Sequence, residues 1–158
     1  MFKIGQSHDI HNVVDNENGE IKLGMVTFQC GKSIIAESDG DILIHAIVES
    51  IIGALGKGDL GTHFNGTISE NEIIGYDMLA KMREMLFIEK YEILNIDSLI
   101  IWDAIKLFEY REIMIENIAR SLDIPIERVN IKFTTTENNF PKIIQAQAVV
   151  LIKKNNQN

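Results

Sequence analysis

The stretch S-D-G-D-I-L-I-H, residues 38–45, predicts the start of a helix that carries a histidine. Ser38 is a typical helix N-cap, and the carboxylate of Asp41 either completes a capping pair or interacts with the positive end of the helix. Apolar residues continue at helical spacing until Gly56 ends the helix. His45 therefore projects from a rigid element.

A second short segment, H-D-I-H at residues 8–11, supplies Asp9 and His11 on a predicted strand. Residues two positions apart project from the same face of a strand. Together with His45 they form a set of two imidazoles and one carboxylate, which suits a catalytic divalent ion such as Zn²⁺ and leaves a coordination position for substrate. The alternatives are an exposed strand end for Asp9 and His11, and a hydrogen-bonded core histidine for His45.

Length and composition indicate a single globular domain over residues 1–158, with 46% apolar and 24% charged residues. No apolar stretch approaches the roughly 20 residues that a membrane-spanning helix needs. No signal peptide is visible, so we expect no membrane partner and a cytoplasmic location. A single cysteine, Cys30, excludes an internal disulfide and a zinc site built on cysteines.

The formal net charge of −8 argues against nucleic acid as a partner, because nucleic-acid binding needs a basic face that displaces counterions. An anionic substrate would have to be held by metal ions, backbone N–H groups and a few local cations. The charge balance therefore favours a metal-dependent site over an arginine-rich one.

The pattern along the chain predicts an α+β domain with one mixed β-sheet and helices packed on one face. Strands are expected at residues 2–11, 93–102, 129–136 and 145–154, and a hairpin at residues 21–28. Helices are expected at residues 38–55, 69–86 and 109–122, the second opening with a capping pair at Ser69 and Glu72. A loop is expected over residues 59–67.

The order of several motifs resembles that of the 2-C-methyl-D-erythritol 2,4-cyclodiphosphate synthase family, nearly end to end. The motifs are Ile4-Gly5 with Asp9-Ile10-His11, S-D-G-D-x-x-x-H from Ser38 to His45, Gly53-Ala54-Leu55-Gly56, Gly58-Asp59-Leu60-Gly61 with Phe64, and V-N-I-K from Val129 leading into T-T-T-E at Thr134 to Glu137. The chain is identified on these motifs as a divergent member of that family.

The resemblance implies a homotrimer with a central β-prism and active sites between neighbouring subunits. It implies metal-dependent cyclisation of 4-diphosphocytidyl-2-C-methyl-D-erythritol 2-phosphate with release of CMP, a phosphorus–oxygen lyase reaction of non-mevalonate isoprenoid biosynthesis. The expected partners are therefore a small cytidine diphosphate-linked substrate and two further copies of the chain.

The resemblance also implies roles for individual residues. Asp9, His11 and His45 would hold Zn²⁺, Glu137 would hold a second ion, Mg²⁺ or Mn²⁺, that bridges the diphosphate, and Thr135 would be the catalytic hydrogen-bond donor. The substrate-binding residues would be Ser38, Asp59, Gly61 and Phe64, and the nucleotide-binding residues Ala104, Lys106, Thr134, Thr135, Thr136 and Glu137.

Several segments depart from the family's pattern. Glu37 stands where a histidine usually precedes S-D-G-D, the cytidine loop A-Q-A-P-K is W-D-A-I-K at residues 102–106, and residues 138–144 replace a glycine-rich stretch. These changes leave open a non-catalytic or altered-substrate relative that keeps the fold and the metal site. Lys106 is equally interpretable as a solvated lysine, and residues 134–136 as β-branched strand residues.

Overall fold

The computed structural model describes residues 1–35, 40–64 and 75–155. The elements in chain order are β1 (Phe2–Asp15), β2 (Glu20–Leu23), β3 (Val26–Gln29), β4 (Lys32–Ile34), α1 (Ile42–Leu55), α2 (Leu60–Phe64), α3 (Gly75–Ile88), β5 (Tyr91–Ile101), α4 (Arg111–Leu122), β6 (Val129–Thr134) and β7 (Ile143–Lys154). Single 3₁₀ turns precede α4 and β6. Within the described residues, no helix is long and apolar enough to cross a membrane.

Five strands form one mixed sheet in the order β4-β1-β7-β5-β6, in which only β5 and β6 run parallel. The predicted α+β fold with a mixed sheet is confirmed. The predicted hairpin is also present, but β2 and β3 form a separate two-stranded ribbon. The register places Ile10, Gln145, Ile101 and Thr134 in one row across the sheet.

The two faces of the sheet have different surroundings. On β1 the alternate residues Gly5, Ser7 and Val13 are buried, whereas Ile4 and Ile10 on the other face are exposed. The buried face packs mainly on α1, which is apolar along almost its whole length and buried in the core. Among the residues that the structure describes, helices therefore cover one side of the sheet only, as the sequence predicts.

Gly5 sets the distance between β1 and α1. A Cβ atom at this position would lie 1.8 Å from the carbonyl oxygen of Ser50 and 2.6 Å from the backbone nitrogen of Ala54. Only glycine permits two backbones to approach this closely. The short distance brings the first turns of α1 over the strand positions that carry Asp9 and His11.

Helix α1 begins after Asp41, so the predicted start at Ser38 is wrong for this element, and Ser38 itself lies outside the described residues. The buried Asp41 carboxylate is the N-cap and accepts a hydrogen bond from the Ile44 N–H at 3.2 Å. It also accepts from the backbone N–H groups of Gly24 at 3.0 Å and Met25 at 2.7 Å. Asp41 therefore joins the β2–β3 turn to the helix, a tertiary role that local spacing does not reveal.

Other boundaries differ where tertiary contacts extend or interrupt an element. Strand β1 continues to Asp15 because its end pairs with β4, which the pattern does not predict. Helix α2 occupies part of the predicted loop, and β6 ends at Thr134. The capping pair predicted for α3, Ser69 and Glu72, lies outside the described residues.

Candidate metal centre and nucleotide cavity

The side chains of Asp9, His11 and His45 converge on one point between β1 and α1. One ligand atom from each lies within 4.8 Å of the others. The separation is 3.3 Å from His11 Nε2 to Asp9 Oδ1, and 3.5 Å from His45 Nδ1 to Asp9 Oδ2. The predicted convergence of the two segments is thus confirmed, although they are far apart in sequence.

A backbone carbonyl fixes the orientation of the His11 ring. His11 Nδ1 lies 3.2 Å from the oxygen of Ile35, which can only accept, so Nδ1 is the donor. In the neutral ring, the Nε2 lone pair then faces an oxygen of Asp9, and two acceptors oppose one another. A proton or a cation between them removes that repulsion, and a carbonyl that orients a histidine in this way is typical of metal ligands.

The Asp9 carboxyl is half-buried and ionised. Burial raises its pKa, but the hydrogen bond with His45 and the charges of His11 and His45 outweigh burial and hold the pKa below its usual value. A carboxylate and two imidazoles therefore offer ligand atoms of the kinds that Zn²⁺ prefers.

The separations within the donor set are of the size that a four-coordinate ion needs. With metal–ligand bonds of about 2.0–2.1 Å, the ligand atoms of a tetrahedral site lie roughly 3.3 Å apart. His11 Nε2 lies 3.3 Å from Asp9 Oδ1 and His45 Nδ1 lies 3.5 Å from Asp9 Oδ2, and one ligand atom from each residue lies within 4.8 Å of the others. Three protein ligands leave the fourth position for another group. The residues present therefore fit a catalytic divalent ion.

A second candidate feature is a cavity of about 290 Å³ between the ends of β5 and β6 and the chain leading into α4. Three of the predicted nucleotide-binding residues, Lys106, Thr134 and Thr135, line it. The other lining residues are Ile100, Trp102, Ile105, Leu107, Phe108, Arg111 and Phe133. Ala104 is half-buried beside the core, while Thr136 and Glu137 continue past the cavity in an exposed turn.

Trp102 and Arg111 are residues of this cavity to which the motif comparison gives no binding role. Trp102 is 2% exposed, and its Nε1–H has no hydrogen-bond partner among the described residues; the same holds for the buried Nε of Arg111. The Arg111 guanidinium lies 4.8 Å from the ring centroid of Phe108 and 5.3 Å from that of Phe133. Trp102 is the changed first residue of the W-D-A-I-K loop, where a stacking ring would alter base recognition, whereas the sequence offers for Arg111 only its position at a helix start.

The predicted substrate-binding residues lie around α2. Asp59 Oδ1 accepts from the Thr62 N–H at 2.9 Å and from its hydroxyl at 2.7 Å, which holds the pKa of Asp59 low. Gly61 is exposed within the helix, whereas the Phe64 side chain is 2% exposed and belongs to the core. His8 and His63 lie outside the metal group, as expected of polar surface residues.

The metal group and the T-T-T-E segment lie at the same end of the sheet but on different strands. Ile10 on β1 and Thr134 on β6 share one row, with β7 and β5 between them. Since neighbouring strands are about 4.8 Å apart, the two residues are separated by about 14 Å. The structure therefore does not bring Thr135 and Glu137 to the metal group within one protomer.

A family model matches residues 2–153, and its description is the YgbB family. The chain belongs to the YgbB family. Curated relatives named 2-C-methyl-D-erythritol 2,4-cyclodiphosphate synthase include that of Paraburkholderia phytofirmans, 37% identical over 98% of this chain and 99% of the relative. Another, from Fusobacterium nucleatum, is 39% identical over 87% of this chain and 85% of the relative.

Solved structures of YgbB-family relatives have the same fold. IspF of Plasmodium falciparum, in a CDP complex, has a TM-score of 0.86 at 32% identity and covers 98% of this chain and 97% of that chain. The bifunctional IspDF of Campylobacter jejuni has a TM-score of 0.90 at 27% identity, with 99% of this chain matching 43% of that chain.

Proposed function

We propose that this YgbB-family chain is a cyclodiphosphate synthase that converts 4-diphosphocytidyl-2-C-methyl-D-erythritol 2-phosphate to the 2,4-cyclodiphosphate with release of CMP. The observation that carries the proposal is the convergence of Asp9, His11 and His45, in a chain whose relatives bear that name over nearly their whole length. The CDP complex of Plasmodium falciparum IspF supports a cytidine nucleotide as part of the substrate. The same relatives make the non-catalytic alternative less favoured.

Asp9, His11 and His45 would hold Zn²⁺, which when bound supplies Lewis-acid polarisation of a phosphate oxygen. The role of the protein is to present three ligands in fixed orientation, His45 from a buried helix and His11 through its bond to Ile35. Glu137, exposed in its turn, would offer one carboxylate oxygen to Mg²⁺ or Mn²⁺, which commonly binds through one carboxylate and substrate phosphates.

The cavity beside Thr134 and Thr135 is the proposed cytidine site. Its 290 Å³ is close to the lower limit, about 300 Å³, of small-molecule sites. Lys106 supplies a cation at its edge, which a chain of net charge −8 needs where an anionic nucleotide binds. Ala104 and Thr136 do not line the cavity, and they would contact the nucleotide beyond it. The Thr135 hydroxyl would donate to the charge that develops on the transferred phosphoryl group.

The erythritol side of the substrate is proposed to contact the start of α2. Asp59 Oδ1 accepts both hydrogen bonds from Thr62, so we assign the sugar hydroxyl to Oδ2 and to the exposed backbone of Gly61. Phe64 contributes by packing beneath this segment, because its side chain is buried. Ser38, which lies outside the described residues, completes the proposed substrate-binding set.

A homotrimer explains how two halves of a site about 14 Å apart in one protomer act together. The metal group of one subunit would meet the T-T-T-E segment of its neighbour if the uncovered sheet faces pack around a common axis. That face carries the exposed apolar side chains of Phe2, Ile4, Ile10 and Val149, which water does not favour.

Catalysis in this arrangement is mostly orientation. The 2-phosphate oxygen attacks the β-phosphorus, the bond from that phosphorus to the bridging oxygen breaks, and CMP leaves with the electron pair. Because both reacting phosphates belong to one substrate, the protein has only to fold the substrate and neutralise its charge. We propose a cytoplasmic location, where a soluble, charged substrate of this kind would be available.

The proposal is tested by incubating the purified protein with the CDP-linked substrate, Zn²⁺ and Mg²⁺ and measuring CMP. We expect CMP release that Thr135→Val lowers by about 10²-fold, the typical loss for one hydrogen-bond donor to developing charge. Thr27→Val, at an exposed position of β3, is the matched control. A trimeric, metal-loaded protein that releases no CMP would contradict the catalytic claim, and failure to bind CDP would support the non-catalytic relative with a changed pocket.

A further inference from the structure

Asp103, two residues after the end of β5, is hydrogen-bonded to the turn that follows β6. Its Oδ1 accepts from the backbone N–H of Thr136 at 2.8 Å and from that of Asn138 at 3.3 Å. Its Oδ2 accepts from the Thr136 hydroxyl. These contacts join segments 33 and 35 residues apart in the chain. One carboxylate therefore holds both sides of Glu137.

The turn needs such support because its backbone is unusual. Glu137 and Asn138 have φ angles of 55° and 62°, in the left-handed region. A left-handed conformation is sterically unfavourable for a residue with a Cβ, and Asn tolerates it better than Glu does. The Thr136 hydroxyl also accepts from the Phe140 N–H at 2.9 Å, so the bonds of Asp103 continue into the rest of the turn.

Two departures from the family's motifs meet at this point. Asp103 occupies the glutamine position of A-Q-A-P-K, and Asn138 begins the segment that replaces a glycine-rich stretch. Glycine adopts positive φ without steric cost, whereas this chain places Asn138 there and holds its backbone N–H through Asp103. The carboxylate is thus a substitute for the lost conformational freedom.

Hydrogen bonds also determine the charge state of this group. The Thr136 hydroxyl is the main cause that holds the pKa of Asp103 below its usual value, and the N–H groups of Thr136 and Asn138 act in the same direction. An ionised carboxylate accepts at every lone pair, so all three donors are satisfied at once. An amide of the same shape would face the Thr136 hydroxyl with an N–H group. That hydroxyl already accepts from the Phe140 N–H, so it would have to accept a second bond, and its own hydrogen would lose the Asp103 acceptor.

We propose that Asp103 is a positioning residue of this enzyme: through Thr136 and Asn138 it fixes the Thr135 hydroxyl and the Glu137 carboxylate toward the diphosphate. The inference rests on the proposed synthase function. It concerns a contact partner of the site, since Asp103 itself would touch neither substrate nor metal. Its loss would leave the zinc ligands, two to three strands away, in place.

The test compares Asp103→Asn with Glu116→Gln, which removes the same charge from the exposed face of α4. For each variant, kcat and KM are measured for CMP release, together with the Mg²⁺ concentration for half-maximal rate. Calorimetry gives the CDP affinity without turnover, and amide exchange by NMR reports on the N–H groups of Thr136 and Asn138.

We expect Asp103→Asn to lower kcat and to raise the half-saturating Mg²⁺ concentration, each by about 10- to 100-fold, the usual loss when a partner of a metal ligand is removed. Exchange at Thr136 and Asn138 should become faster, while Zn²⁺ content and the circular dichroism spectrum stay those of the wild type. Glu116→Gln should match the wild type throughout.

Wild-type kcat and wild-type exchange in Asp103→Asn would overturn the positioning role while leaving the synthase function intact. Absence of CMP release by the wild type would instead defeat the function, and the exchange and CDP measurements would still decide on Asp103. If Asp103→Asn does not fold, Thr136→Val removes the same hydroxyl bond from the other side. If both variants fold, the double variant should lose less activity than the product of the two single losses, because Asp103→Asn and Thr136→Val break the same hydrogen bond.

Discussion

At the scale of single residues, the metal group depends on how each ring is held. His45 is buried on α1 and would contribute the ligand that joins the helix to the strand. We expect His45→Ala to abolish Zn²⁺ retention, because Asp9 and His11 alone are two ligands on one strand and bind the ion poorly. Metal analysis after dialysis measures the effect.

His8→Ala is the matched control, since His8 lies on the opposite face of β1 and bonds Gln145 at 3.0 Å. It should retain the metal of the wild type. Full zinc occupancy in His45→Ala, with normal folding, would show that the ion is bound elsewhere. Equal loss in both variants would point to an effect on the whole strand.

At the scale of elements, the position of α1 on β1 determines whether the ligands meet. A methyl group at Gly5 would collide with the backbone of Ser50. Backbone atoms inside a helix cannot move aside as the end of a flexible side chain could. We expect Gly5→Ala to lower the free energy of unfolding by about 3 kcal/mol or more, at the upper end of overpacking effects, and to weaken zinc binding. Urea unfolding and metal analysis measure the two effects.

Gly53→Ala provides the control within the same helix, because a Cβ there has nothing within 4 Å. Alanine is the better helix former by about 1 kcal/mol, so this variant should be as stable as the wild type or more stable. Similar losses in both variants would mean that helix formation, and not the close approach of two backbones, limits stability.

The elements also show which features can be predicted from the sequence: those that depend on local residues, and not those that depend on tertiary contacts. Gly56 ends α1 with a φ of 71°, as predicted, because helix termination is a local property. The sequence predicts that Asp41 supports an N-cap at Ser38. In the structure the Asp41 carboxylate is itself the N-cap, and it also accepts hydrogen bonds from the β2–β3 turn, a contact that exists only in the folded chain. Strand β4 depends likewise on the end of β1.

The candidate site divides in the same way. The three ligands Asp9, His11 and His45 could be predicted from the sequence. Strand and helix periodicity fix the directions of their side chains, and imidazole and carboxylate donors indicate a divalent ion. Asp103 and Trp102 could be noted only as departures from a motif. Their contacts depend on the pairing of β5 with β6, more than 30 residues away, which spacing does not encode.

At the scale of the whole molecule, the two faces of the sheet carry different features: the candidate metal group and an exposed apolar surface. One face of β1 carries the proposed metal ligands Asp9 and His11 against α1, and the other carries exposed apolar side chains, Ile4 being 69% exposed. Nothing within the described protomer covers that second face, and burying it between subunits would favour association by about 25 cal/mol per Å² of apolar surface. The proposed trimer axis therefore lies on this face.

We expect the wild-type protein to sediment with about three times the 17.9 kDa mass of the chain, and Ile4→Lys to sediment as a monomer. A lysine there would have to bury its charge against apolar neighbours such as Leu151, its partner in the register. Phe87→Lys, a similar change at an 83% exposed residue of α3, should leave the mass unchanged.

Because Thr135 and the metal group would act across subunits, the Ile4→Lys monomer should also release no CMP while keeping its zinc. Wild-type sedimentation as a monomer that still turns over would refute the shared site, and an active trimer of Ile4→Lys would place the subunit contact on another surface.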